Sequence, residues 1–218
     1  MPQRRIKQSL FKGASYNPDL IVDVVDPDEG EEWGSSLNDL REDEQKMLGL
    51  AILFTDQCYI EYVAFATSNR VVVLRAPPAG WHSLPHDDNW LALRDLLESK
   101  NDLRLVGIDL AQIALAFHRE SEFRLRGIDL GLAAGQPGLL PGALVLKLLE
   151  DDVVGEAYQE VWRQPPTING VESDASRTNW IALRAWMTIK AAESFPSVIE
   201  KSKFVDTSPT EDLSKEVS

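Results

Sequence analysis

Three runs of strand length follow one another with almost nothing between them, and this most narrows what the chain can fold into. Leu48–Thr55 is nearly unbroken hydrocarbon, Tyr59–Thr67 is rich in aromatic and β-branched residues, and Arg70–Arg75 carries three consecutive valines. Only Ser68-Asn69 separates the last two runs, a break too short for a crossover, so they must pair antiparallel through a turn. The three runs therefore read as a meander, closed by Pro77, Pro78 and Gly80. Beyond Gly80 the texture changes to alternating helices and strands. Helices are expected at Trp90–Ser99, with Leu93, Leu96 and Leu97 inward, at Ala111–His118 and at Ala143–Leu149; strands are expected at Leu103–Ile108 and Leu125–Leu130. Thr178–Phe195 is the longest helix, with Trp180, Leu183, Met187 and Ala191 on one face and Pro196 as its stop. Upstream of the meander, Ile21–Val25 is a strand ended by Asp26-Pro27. A short helix then places Trp33, Leu37 and Leu40 on one side, with acids in its first turn. A meander followed by alternation predicts an α/β domain, a mixed sheet flanked by helices.

With 218 residues, 44% of them hydrophobic, the chain suits one domain with a full core. The expected division is a flexible N-terminus over 1–19, the folded domain over 20–196 and a disordered polar tail over 197–218. The tetrapeptide Gly-Ile-Asp-Leu recurs at Gly107 and Gly127 in differing surroundings, and is treated as coincidence. Cys58 is the only cysteine, so neither an internal disulfide nor a thiolate metal cluster can form; within an apolar strand it is expected to be inert packing. Met1–Lys12 is basic without an apolar segment, so no signal peptide is expected, and no run approaches the roughly 18 apolar residues of a membrane span. An intracellular site, nucleus or cytoplasm, is the expectation. The net charge of −13 opposes tight binding to phosphate backbones, which rests on counterion release by basic surfaces.

The order of local patterns over Leu20–Phe195 resembles the RNase D/Werner branch of the DEDD 3′–5′ exonucleases. Gly49-Leu50-Ala51-Ile52-Leu53-Phe54 is similar to the first motif, a strand reading Gly-hydrophobic-Asp-x-Glu. Val63–Thr67 with Arg70–Leu74 is similar to the hairpin that follows it. Val106-Gly107-Ile108-Asp109-Leu110-Ala111-Gln112-Ile113 is similar to the second motif, Val-Gly-His-Asn-hydrophobic-x-x-Asp, and Gly127–Leu130 to the next strand. Asp174–Asn179 with Leu183-Arg184 is similar to the last motif, Tyr-Ala-Ala-x-Asp-Ala followed by Leu-Arg. The resemblance implies an RNase H-like (DnaQ-like exonuclease) fold.

It also implies that the chemistry is missing. These enzymes hold two divalent ions with four carboxylates, and hard cations require oxygen ligands. At the matching positions stand Ala51, Leu53, Ile113 and Thr178, with Asp174 where a water-orienting Tyr belongs. Carboxylates clustered without metal would repel one another and raise each other's pKa, so hydrocarbon there reads as filled core. No metal or other cofactor is therefore expected, and the leading function is a catalytically silent exonuclease-like domain. It would act as an interaction, dimerisation or adaptor module, a role that degenerate relatives suggest in RNA-processing or silencing assemblies.

Two alternatives stay open. A divergent Mg²⁺- or Mn²⁺-dependent exonuclease would have to rebuild its site from Asp56, Glu61, Asp109, Asp129 and Asp174. A non-cleaving binder of RNA or single-stranded DNA would use Arg119, Arg124 and Arg126, which Glu120 and Glu122 dilute, together with Arg163, Arg177 and Arg184. His82 and His86 are four apart, but Pro85 interrupts any helix, so they are expected to be surface histidines rather than metal ligands. For a protein partner or second copy, the aromatic candidates are Trp33, Trp81, Trp90, Trp162 and Trp186. Trp90, Trp180 and Trp186 are assigned to the core. Trp81 and Trp162, beside Pro- or Gly-bearing loops, are the preferred contacts.

Overall fold

The computed structural model describes residues 3–6, 20–26, 33–43, 45–98, 102–121, 123–149, 161–162, 174–196, 199 and 205–206. The meander forms as expected, from β3 (Met47–Phe54), β4 (Ile60–Ala66) and β5 (Arg70–Arg75). β6 (Arg104–Gly107) adds parallel to β3, and β7 (Arg126–Asp129) adds parallel to β6. On the other side β2 (Leu20–Val25) lies parallel to β5, and β1 (Gln3–Ile6) pairs antiparallel with β2. The strand order is β1-β2-β5-β4-β3-β6-β7-β8, where β8 is Val205–Asp206.

Within it, β5-β4-β3-β6-β7 is a five-strand unit whose first strand, β3, sits at the centre. Only β4 runs against the other four. That order and that one reversed strand define the RNase H-like fold, and the expected fold class is the one observed.

Both faces of the sheet are covered, which explains why β3 is apolar at nearly every position. Alternate residues enter separate cores. Leu48, Leu50 and Ile52 face the helices α1 (Gly34–Arg41), α2 (Asp88–Leu97) and α3 (Leu110–Ser121). Ala51 and Leu53 face α5 (Pro141–Leu149) and the long α6 (Asp174–Glu193). Gly49 lets α6 approach closely: a Cβ there would stand 2.2 Å from the Ala185 carbonyl oxygen.

Local chemistry sets the ends of the elements. α2 begins two residues before Trp90 because the Asp87 carboxylate accepts from the Trp90 amide at 3.0 Å. β7 ends at Asp129 because that side chain caps the short α4 (Leu130–Ala133). Pro141, at the first position of α5, starts that helix two residues before the expected Ala143. The acids expected in the first turn of α1 are not within the helix, whose first turn carries none.

Short stretches at both ends of the chain are described. Gln3–Ile6, within the segment read as flexible, is an edge strand. Beyond 196, Ile199 is buried, and Val205–Asp206 pair with Gly127 and Arg126 of β7. An open strand edge leaves amides and carbonyls without partners, and low local hydrophobicity does not prevent a short segment from satisfying them. The other residues of 1–19 and 197–218, Pro196 excepted at the boundary, lie outside the described residues.

Candidate functional site

A cleft of about 290 Å³ opens at the central strand, lined by Ala51, Ile108, Asp109, Gln112, Ile113, Trp162 and Arg184 among others; of the motif positions, Ala51 and Ile113 are the two among its described lining residues. Ala51 is 6% exposed and packs in the core beneath α6. Ile113 is 5% exposed and belongs to the opposite core. Leu53 is partly buried against the same core as Ala51, and Thr178 is 1% exposed on α6. The side chain of Asp174 lies outside the described residues. Ala51, Leu53 and Ile113 thus carry hydrocarbon packed against the two cores, and Thr178 carries a buried hydroxyl.

The alternative acids are not gathered into a ligand set. Asp129 is buried, with Oδ2 accepting from the Leu110 amide at 2.8 Å and Oδ1 from the Leu132 amide at 3.0 Å. It thereby caps α3 and α4 at once. Glu61 is ion-paired with Arg177. Asp56 is exposed in the turn between β3 and β4. Asp109 is the one carboxylate along the cleft, at a left-handed backbone position with φ 57°. Burial, and after it the neighbouring Asp129, push its carboxyl above the ordinary value. Among the described residues, no group of three or more His, Cys, Asp or Glu side chains is arranged to hold a metal ion.

Across the cleft, Arg184 is largely buried. Its Nε donates to the Val161 carbonyl at 2.9 Å, and its guanidinium lies 5.4 Å from the Trp162 ring centroid. Burial lowers its pKa from the ordinary arginine value. A cation thus stands in the same cleft as the Asp109 carboxylate. The sequence places Arg184 in the last motif match and among the candidate arginines, and nothing local shows that it turns inward.

The aromatic candidates require correction. Trp81 is fully buried: its indole donates to the Ile60 carbonyl at 3.3 Å and its ring meets Phe117 edge-on at 6.3 Å. Trp33 is 2% exposed and Trp186 3%, the latter donating to the Ser68 carbonyl at 2.9 Å. Trp162 is half-buried against the core under α6 and packs over Gly142. Trp90 is half-buried as well, stacked on His86 with centroids 4.4 Å apart. Loop position misled the reading because the Trp81–Ser83 turn folds back onto the sheet, where a large ring fills the space above Ile60. The exposed apolar side chains are instead Ile21, Tyr59, Leu91, Leu115, Leu132 and Leu140. Single exposed leucines give no sequence signal, because their helical spacing resembles that of core positions.

The remaining candidates are placed as follows. Arg119 donates to the Cys58 carbonyl, pairs with Glu120 at 2.8 Å and lies 5.2 Å over the Tyr59 ring. Arg124 and Arg126 are exposed on either side of buried Leu125. Arg119 is therefore engaged with the turn between β3 and β4. His82 and His86 are both exposed, and neither lies on an α-helix. Cys58 is exposed in the turn at φ 63°, which corrects its placement within a strand.

Fold and site together describe an RNase H-like domain with a cleft at its central strand that carries Asp109 and Arg184. No family model matches the chain, and no curated protein matches it. Among solved structures, the EXD2 exonuclease domain soaked in Mn is similar over 83% of this chain and 94% of that one, at 20% identity and TM-score 0.43. The same domain soaked in Mg and GMP is similar at 19% identity and TM-score 0.42, over 83% and 93% of the two chains. Its unsoaked form gives 19% and 0.42 over 83% and 94%. The fold assignment rests on the strand order itself. Among the described residues, no helix is long and apolar enough to cross a membrane.

Proposed function

We propose that this chain is a non-catalytic domain of exonuclease architecture that works by binding another protein, as an adaptor or dimerising module, with RNA processing or silencing as its setting. The observation that carries the reading is the packing of Ala51, Leu53 and Ile113 into the two cores. Restoring metal ligands there would place carboxylates against hydrocarbon, a desolvation that a charged group tolerates only with cations or donors around it. Asp129 adds support, since both of its oxygens already serve backbone amides. Nucleic-acid binding, through Arg124 and Arg126 above all, is expected to be weak and strongly salt-dependent in a chain of net charge −13.

The test is incubation of the full chain with labelled single-stranded RNA and DNA in millimolar Mn²⁺. The expected result is intact oligonucleotide. Laddering that disappears in Asp109→Asn would overturn the proposal in favour of a Mg²⁺- or Mn²⁺-dependent exonuclease.

A further inference from the structure

A second hollow opens beside the cleft at the central strand. It is a groove of about 440 Å³ between the start of α3 and the loop joining α4 to α5. Ala111 and Gln112 form one wall, Leu132 and Leu139 the other, and Leu144 the floor. The loop wall is held by its own backbone: the Gln136 amide donates to the Gly131 carbonyl at 2.8 Å, and the Leu139 amide to the Gln136 carbonyl at 3.3 Å. Gly138, at φ 84°, permits the bend between them.

Two features distinguish the groove from an ordinary surface hollow. Its rim is apolar and exposed: Leu132 is 58% exposed and Leu140, next to Leu139, is 76%. Leu115, one helical turn beyond Ala111 on the same face of α3, is 69% exposed and extends the apolar track. Leucines this open are costly to leave in water when they cluster along one groove. The second feature is charge. Among the described residues, the charged ones that line the groove are Asp109 and Asp129, with no lysine, arginine or histidine. Asp129 is fully engaged by the Leu110 and Leu132 amides. Asp109 offers only its backbone carbonyl to α3, at 3.0 Å from the Gln112 amide, and its carboxylate forms no ion pair among the described residues.

We infer that this groove is the docking site for a peptide segment of a partner protein that presents an apolar side chain to Leu132 and Leu139 and a lysine or arginine to Asp109. The inference rests on the binding role proposed above and supplies its surface and the chemistry of its partner. Charge complementarity selects the occupant. A second copy of a chain with net charge −13 would bring like charge to the carboxylate, whereas a basic segment neutralises it. An apolar anchor in the groove supplies affinity and the carboxylate supplies register, the division of labour usual at helix-lined grooves.

The experiment is selection of a random-sequence peptide phage library on the full chain, followed by fluorescence anisotropy with the best-selected peptide, synthesised and labelled. The expected peptides combine lysine or arginine with leucine-like side chains. Asp109→Asn, which tolerates the left-handed backbone, and Leu132→Gln, at an exposed site, should each weaken binding about fivefold to tenfold without lowering the melting temperature. His82→Ala, at a different cavity, should leave binding unchanged. Selection of acidic or uncharged peptides, no selection at all, or binding indifferent to both groove variants would overturn the inference. The nuclease assay tests the underlying reading separately. An intact oligonucleotide with no basic apolar peptide selected defeats the groove alone, while cleavage defeats the non-catalytic role itself.

Discussion

Replacing Trp81 with alanine separates a core tryptophan from an interface tryptophan. The ring is fully buried and sits in an aromatic chain, edge-on to Phe117, which meets Phe123 at 6.3 Å, which in turn meets Trp90 at 5.3 Å. Removing it leaves a cavity beneath the Pro77-Pro78 loop and deprives the Ile60 carbonyl of the indole donor at 3.3 Å. Large-to-small changes of this kind cost about 3–5 kcal/mol, the lost transfer energy plus the cavity. For a chain of 150–250 residues each kcal/mol lowers the melting temperature by about 2–4 °C, so a fall of about 6–20 °C is expected. Trp81→Phe keeps part of the packing and loses the N–H, and should fall between wild type and alanine. Circular dichroism melts of the three proteins at one concentration are the assay. A Trp81→Ala protein melting within about 2 °C of wild type would refute the packing argument and return this ring to the list of surface contacts.

Asp129→Ala removes the caps of α3 and α4 together. At about 0.5–2 kcal/mol per cap it should cost about 1–4 kcal/mol in urea unfolding, with the midpoint rather than the slope shifted. Gly49→Ala forces a methyl against the α6 backbone and should destabilise by at least about 1–3 kcal/mol, read by the same titration. The raised pKa of Asp109 means that the folded state holds this proton more tightly than the unfolded state does. Its ionisation therefore removes stability as pH rises through the raised folded value. Asp109→Asn should be more stable than wild type at neutral pH and should lose that advantage below the ordinary aspartate range, as melts between pH 3 and 7 would reveal.

Much of the architecture was legible in the residues because its signals are local. β3 and β5 are nearly continuous hydrocarbon, the break at Ser68-Asn69 admits only a hairpin, and Pro196 marks the end of the longest helix through its ring geometry. The hydrocarbon at Ala51, Leu53 and Ile113 was likewise visible as residue types placed where the motif pattern calls for carboxylates.

Tertiary structure decided the rest, since burial and charge pairing depend on residues far apart in the chain. Trp81 lies in a Pro- and Gly-bearing stretch yet becomes core, because α3 supplies Phe117 and β4 supplies the Ile60 carbonyl. Arg184 turns inward beneath Trp162, 22 residues earlier, and nothing in its own helix foretells that. Asp129 and Asp109 carry the same side chain in two copies of one tetrapeptide. Parallel pairing of β6 with β7 sets one beneath two helix starts and leaves the other at the rim of a groove. Identical local sequence thus gives a cap in one place and an available charge in the other, because the deciding hydrogen-bond donors come from elements the local sequence does not contain.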